Sequence, residues 1–62
     1  MTFTEFVNEF RITQARKLLT TDRSVSQVCF ESGFNNLSHF NKVFRLRTGQ
    51  TPGSYRRALG LH

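Results

Sequence analysis

Helix start and stop signals recur along this chain at intervals that leave room only for short helices joined by tight turns. Thr2-x-x-Glu5 and Ser24-x-x-Gln27 each place a hydroxyl three residues before an acidic or amide side chain. That pairing satisfies two orphan helix N–H groups reciprocally. Gly33 can take the left-handed backbone that closes a helix, and Asn35 and Asn36 offer caps for the next one. Gly49 marks another stop, and Thr51-Pro52 sets a cap before a proline at the first helical position. The expected fold class is therefore all-α: one small helical domain over residues 1–62 with about four helices, at 3–20, 25–32, 36–48 and 52–60.

The apolar pattern agrees with helices throughout. In the first segment Phe3, Phe6, Val7, Phe10, Ala15, Leu18 and Leu19 fall at spacings of three and four. They read as one stripe, interrupted around Ile12 and Thr13, with Arg11, Arg16 and Lys17 off it or at its edge. The second segment carries Val25, Val28 and Cys29, and the third Leu37, Phe40, Val43 and Phe44. In the fourth, Tyr55 and Leu59 are expected to face inward, with the tyrosine hydroxyl at the boundary. All seven phenylalanines are read as core.

Size and residue inventory exclude most other classes. A chain of 62 residues buries only about 60% of the surface its unfolded form exposes, too little for a multi-domain enzyme or a doubly wound α/β fold. The single Cys29 cannot close an internal disulfide, and with His39 and His62 it falls short of a zinc ligand set. Cys29 is read as a packing residue, small enough to let two helices approach closely. Ser24, His39 and Asp22 contain the atoms of a catalytic triad, but no nucleophile elbow accompanies them. No catalytic residue, metal site, cofactor or small-molecule site is expected. No apolar run approaches the roughly 20 residues that span a bilayer and no signal peptide follows Met1, so the reading is a cytoplasmic chain without membrane contact.

Charge points to a partner. The formal net charge is +5, and its distribution is one-sided. Arg11, Arg16, Lys17 and Arg23 are cancelled by Glu5, Glu9, Asp22 and Glu31, whereas Lys42, Arg45, Arg47, Arg56 and Arg57 have no acid among them. A one-sided basic field on a small domain fits a polyanion, most often nucleic acid. The layout fits as well: a short helix, a glycine turn and a longer helix make a helix-turn-helix, here over residues 25–48. Phe34 is expected to plug the space between the two helices. At about 100° per residue, Phe40 and Phe44 set the inner face of the third helix while Ser38, Lys42 and Arg45 point away, with Asn41 and His39 at the flanks. Short polar side chains of this kind reach base edges, and longer cations behind them reach phosphates. For Arg47, Arg56 and Arg57 a phosphate role and a solvated one stay equally open.

The run VSQVCFESGFNNLSHFNKVFRLRTGQTPGSYRR, residues 25–57, closely resembles the C-terminal signature of AraC/XylS-type bacterial transcription regulators. The shared features are the small residue Cys29, Gly33-Phe34, Phe40, Phe44, Gly49, Thr51-Pro52 and Tyr55-Arg56. The preceding FVNEFRITQARKLL, residues 6–19, is similar to the family's long linker helix. The resemblance implies that residues 3–20 are that linker helix and 52–60 the terminal helix. It further implies that residues 36–48 are a recognition helix inserted into the major groove of double-stranded DNA. Two helix-turn-helix units are usual in the family and one stands here, so the chain is expected to be part of a longer regulator. Carried over by position, Asn36, Leu37, Ser38, His39, Asn41 and Lys42 meet DNA, and Arg45 adds to them. Leu37, Ser38 and Asn41 are assigned to base edges, and Asn36, Lys42 and Arg45 to phosphates. The alternative function is a helical protein-interaction module contacting RNA polymerase; a basic amphipathic peptide acting on membranes is a third reading, against which the caps and inward phenylalanines argue.

Overall fold

The computed structural model describes residues 2–60 and contains four helices in them: α1 (Phe3–Leu18), α2 (Val25–Glu31), α3 (Leu37–Thr48) and α4 (Pro52–Ala58). Each start is capped by the side chain immediately before it. Thr2 accepts from the Glu5 N–H at 3.0 Å, Asn36 from the His39 N–H at 2.9 Å, and Thr51 from the Ser54 N–H at 3.2 Å. At Ser24 the box is complete, because Gln27 Oε1 also accepts the Ser24 N–H at 2.9 Å.

The stops are local too. α1 ends at Leu18 rather than 20, where the Thr20 and Thr21 hydroxyls donate to the Lys17 and Leu18 carbonyls, both at 2.6 Å. Such bonds offer the backbone an alternative to another helical turn. α3 ends in Gly49, whose φ of 81° is left-handed and whose N–H donates to the Arg45 carbonyl. α2 and α4 stop at Glu31 and Ala58, short of the expected 32 and 60.

The core lies where α1, α2 and α3 meet, and consists of Ile12, Ala15, Leu19, Val28, Cys29, Phe34, Phe40, Val43 and Phe44. Leu18, Val25 and Tyr55 pack around it. Ala15 and Cys29, both fully buried, keep the crossing helices close. The one buried polar side chain among the described residues, Ser32, is satisfied by donating to the Val28 carbonyl at 2.6 Å.

The expected core differs from this one in α1. Phe3, Phe6 and Phe10 are exposed, Phe3 at 82%, while Ile12 is 4% exposed and central. The reason is geometric. At about 100° per residue, Phe3, Phe6 and Phe10 cluster within about 60° of arc, and Ile12, Ala15 and Leu19 cluster within about 60° on the opposite side. The helix carries two apolar stripes, not one interrupted stripe, and α2 and α3 cover only the second. Phe30 on α2 and Leu59 after α4 also face solvent, contrary to their assignment inward. Phe34, Phe40 and Phe44 are buried as expected.

Candidate nucleic-acid interface

The turn between α2 and α3 is what presents α3. Gly33 has a φ of 103°, which an L side chain rarely adopts, and the Phe34 N–H returns to the Cys29 carbonyl at 3.0 Å. Phe34, 3% exposed, then fills the angle between the helices. Its ring lies 5.1 Å from that of Phe40 and 5.9 Å from that of His39, centroid to centroid. Arg11 covers the outside of this joint, its guanidinium carbon 5.8 Å from the centre of the Phe34 ring. A methyl group at residue 33 would sit 3.1 Å from Arg11 Nε. Arg11 lies off the apolar stripe or at its edge, and Gly33 and Phe34, which it covers, are 22 and 23 residues away, so helical spacing does not reveal the contact.

α3 is sharply two-sided. Phe40 and Phe44 are fully buried and meet at 5.7 Å, and Phe44 continues to Tyr55 at 5.4 Å with the rings nearly perpendicular. Asn36, Leu37, Ser38, His39, Asn41, Lys42 and Arg45 are all exposed. Ser38, Asn41, Lys42 and Arg45 share the side of α3 opposite Phe40 and Phe44, whereas His39 and Leu37 stand at its two edges and Asn36 precedes the helix as its cap. Asn36 also caps α3, its Oδ1 accepting the His39 N–H, so its amide N–H groups are what it has to donate to a partner.

Beside these residues runs an open groove of about 570 Å³ lined by Asn41, Lys42, Arg45, Leu46, Gly49 and Thr51. Leu46 is 77% exposed, an apolar side chain among the polar ones, and neither charge nor hydrogen-bonding capacity marks it in the sequence. It falls only about 40° round the helix from Lys42 and so shares the outer face. The described residues contain one ion pair, Arg23 with Glu31 at 2.8 Å, which leaves Lys42 and Arg45 without an internal carboxylate. Two other arginines of the basic half are engaged internally. Arg47 Nη2 donates to the Glu5 carbonyl at 3.3 Å, and Arg56 Nε to the Leu19 carbonyl at 3.1 Å. Arg57 is exposed.

Among the described residues no three His, Cys, Asp or Glu side chains are grouped to hold a metal ion, and no helix is long and apolar enough to cross a membrane. His62 lies outside the described residues. Burial pushes the Cys29 thiol above its ordinary value, in keeping with a packing residue.

A helix-turn-helix domain family matches residues 1–58, nearly the whole chain. This chain belongs to the AraC-type helix-turn-helix family. Its similarity to the transcriptional activator RhrA of Rhizobium meliloti is 39% identity over 59 residues, 90% of this chain and 19% of that protein. To the transcriptional activator NphR of a Rhodococcus species it is 48% over 48 residues, 76% of this chain and 14% of NphR. The regulator GlxA of Rhizobium meliloti is 36% identical over 59 residues, 94% of this chain and 18% of GlxA. The AraC-type chain described here therefore spans less than a fifth of the length of these relatives. No solved structure matches it.

Proposed function

We propose that this chain binds double-stranded DNA sequence-specifically as part of a bacterial transcription regulator, with α3 lying in the major groove. The observation that carries the reading is the two-sidedness of α3. Its phenylalanines are sealed in the core, and a polar, cationic face free of internal carboxylates stands outward. At about 1.5 Å per residue its 12 residues extend some 18 Å, and a major groove about 12 Å wide admits a helix. Leu37, Ser38 and Asn41 read base edges, Leu37 by covering a thymine methyl. Lys42, Arg45 and the amide of Asn36 hold phosphates, and His39 lines the flank of the contact. Names of relatives that call them transcriptional activators support the same role. The role is non-enzymatic and cytoplasmic, with RNA polymerase as a further partner.

In this reading α1 is a linker helix shared between two helix-turn-helix units. Its two opposite apolar stripes support that: one is buried against α2 and α3, and the other, Phe3, Phe6 and Phe10, is left for a second body.

The test is to select duplexes from a random pool with the parent regulator and measure affinity for selected and scrambled DNA across a salt series. Lys42→Ala should weaken binding to every sequence and flatten the log–log salt slope by about 0.9. Asn41→Ala should relax preference at one base position, costing about 1–3 kcal/mol of discrimination there. Equal affinity of the parent regulator for both duplexes would reject the function, and the opposite partition would reject the residue roles.

A further inference from the structure

Helix α4 grips the rest of the molecule at two places. On one side Pro52 is buried and the Tyr55 ring stands edge-on to Phe44 at 5.4 Å, which seats α4 on the inner face of α3. On the other side two arginines cross between α4 and α1 in opposite senses. Arg16 Nε donates to the Tyr55 hydroxyl at 3.2 Å, and Arg56 Nε donates to the Leu19 carbonyl at 3.1 Å.

Leu19 is the C-cap of α1, and the carbonyls just before it, Lys17 and Leu18, already accept threonine hydroxyls. Arg56 serves the next carbonyl along, at the end of α1 where unsatisfied carbonyls leave partial negative charge. Its Nη2 is sealed from solvent without an acceptor. A guanidinium held this way is spent on the fold and is not offered to a phosphate. Arg57, the adjacent arginine, is exposed by contrast.

We propose that α4 is a strut and Arg56 a positioning residue: together they set the angle of α3 against α1, and so the aim of Ser38, Asn41 and Lys42, without touching DNA. The proposal rests on the DNA-binding reading for its functional consequence, and on the α1–α4 bonds alone for its structural one. Charge on the surface is not what Arg56 contributes, so a lysine at residue 56 does not replace it. The planar fork directed at a carbonyl is lost in that substitution.

Two measurements test it, the first on the parent regulator and the second on this chain. The first is affinity for a selected and a scrambled duplex, each across a salt series, for Arg56→Ala and Arg56→Lys. The strut requires Arg56→Ala to lose roughly tenfold for the selected duplex, the scale of one charge-assisted hydrogen bond, with scrambled binding changed by no more than about twofold and the salt slope unaltered. Arg56→Lys should fail to rescue. Equal weakening on both duplexes with a slope flattened by about 0.9, or full rescue by lysine, would overturn the proposal in favour of a phosphate contact. The second is amide hydrogen exchange without DNA, where Arg56→Ala should speed exchange in α4 and in the last turn of α1. An unchanged exchange pattern overturns the strut whatever the DNA result. A parent regulator that binds both duplexes equally sinks the DNA-binding reading instead, and exchange alone then judges the strut. Should Arg56→Ala fail to fold, Tyr55→Phe keeps the ring on Phe44 and deletes only the acceptor for Arg16. It must move the same readouts in the same direction, and no movement would overturn the strut.

Discussion

Replacing Gly33 by alanine should destabilise the domain by about 1–2 kcal/mol, a magnitude that follows from three terms. Gly33 has a φ of 103°, and placing an L residue in left-handed backbone costs roughly 1–2 kcal/mol. The added methyl group would meet Arg11 Nε at 3.1 Å and its Cγ and Cδ at 3.4 Å. That side chain is flexible and can lift, at the loss of its stacking on Phe34, worth about 0.5–1 kcal/mol at an exposed site. Against these stands a gain of about 0.4–1 kcal/mol, because alanine narrows the unfolded ensemble. The net cost lowers the melting temperature by roughly 5–15 °C for a domain of this size. Gly53 supplies the control. It lies in α4 without positive φ, and a Cβ there meets nothing within 4 Å, so Gly53→Ala should stabilise by up to about 1 kcal/mol. Urea unfolding followed by circular dichroism reads both. A Gly33→Ala variant as stable as wild type would refute the argument. So would full restoration of stability in Arg11→Ala/Gly33→Ala, which would place the cost on crowding rather than on backbone conformation.

The two stripes of α1 and the packing of α3 give a paired expectation. Phe40→Ala, at a fully buried site, should cost about 3–5 kcal/mol, comparable with the roughly 3–9 kcal/mol that a chain of this length has in total. Phe10→Ala, 61% exposed, should stay within about 0.5 kcal/mol; equal costs in urea titrations would contradict the outward placement of that stripe. For Cys29, burial raises the folded-state pKa above the unfolded one. The stability this lends is complete below the ordinary thiol pKa and falls away as pH rises through the folded value. Urea midpoints should therefore decline in the alkaline range for wild type and decline less for Cys29→Ala, and identical alkaline profiles would remove Cys29 as the cause.

The features legible in the sequence are those whose partners lie within one helical turn. Ser24 with Gln27, Asn36 with the His39 N–H, Thr51 before Pro52 and the glycine after α3 each act over a few residues, so residue type and spacing suffice to place four helices. The outer face of α3 was legible for a related reason. Phe40 and Phe44 outweigh every other side chain in that helix, and once they point inward the orientation of Ser38, Lys42 and Arg45 follows from the helical repeat.

Tertiary structure alone decided which face of α1 is inside. Helical periodicity tells which residues share a side, but it is silent on which side meets a neighbour. Three phenylalanines offer the larger apolar area, yet Ile12, Ala15 and Leu19 face α2 and α3, where a small alanine permits the closer approach. The arginines divide the same way. Composition distinguishes none of the cations of the second half from another, whereas the fold commits Arg47 and Arg56 to carbonyls 42 and 37 residues away and leaves Lys42 and Arg45 outward. Local hydrogen bonds are written in neighbouring letters; the choice between two apolar faces, and between an engaged and a free cation, is made only when distant segments arrive at the same place.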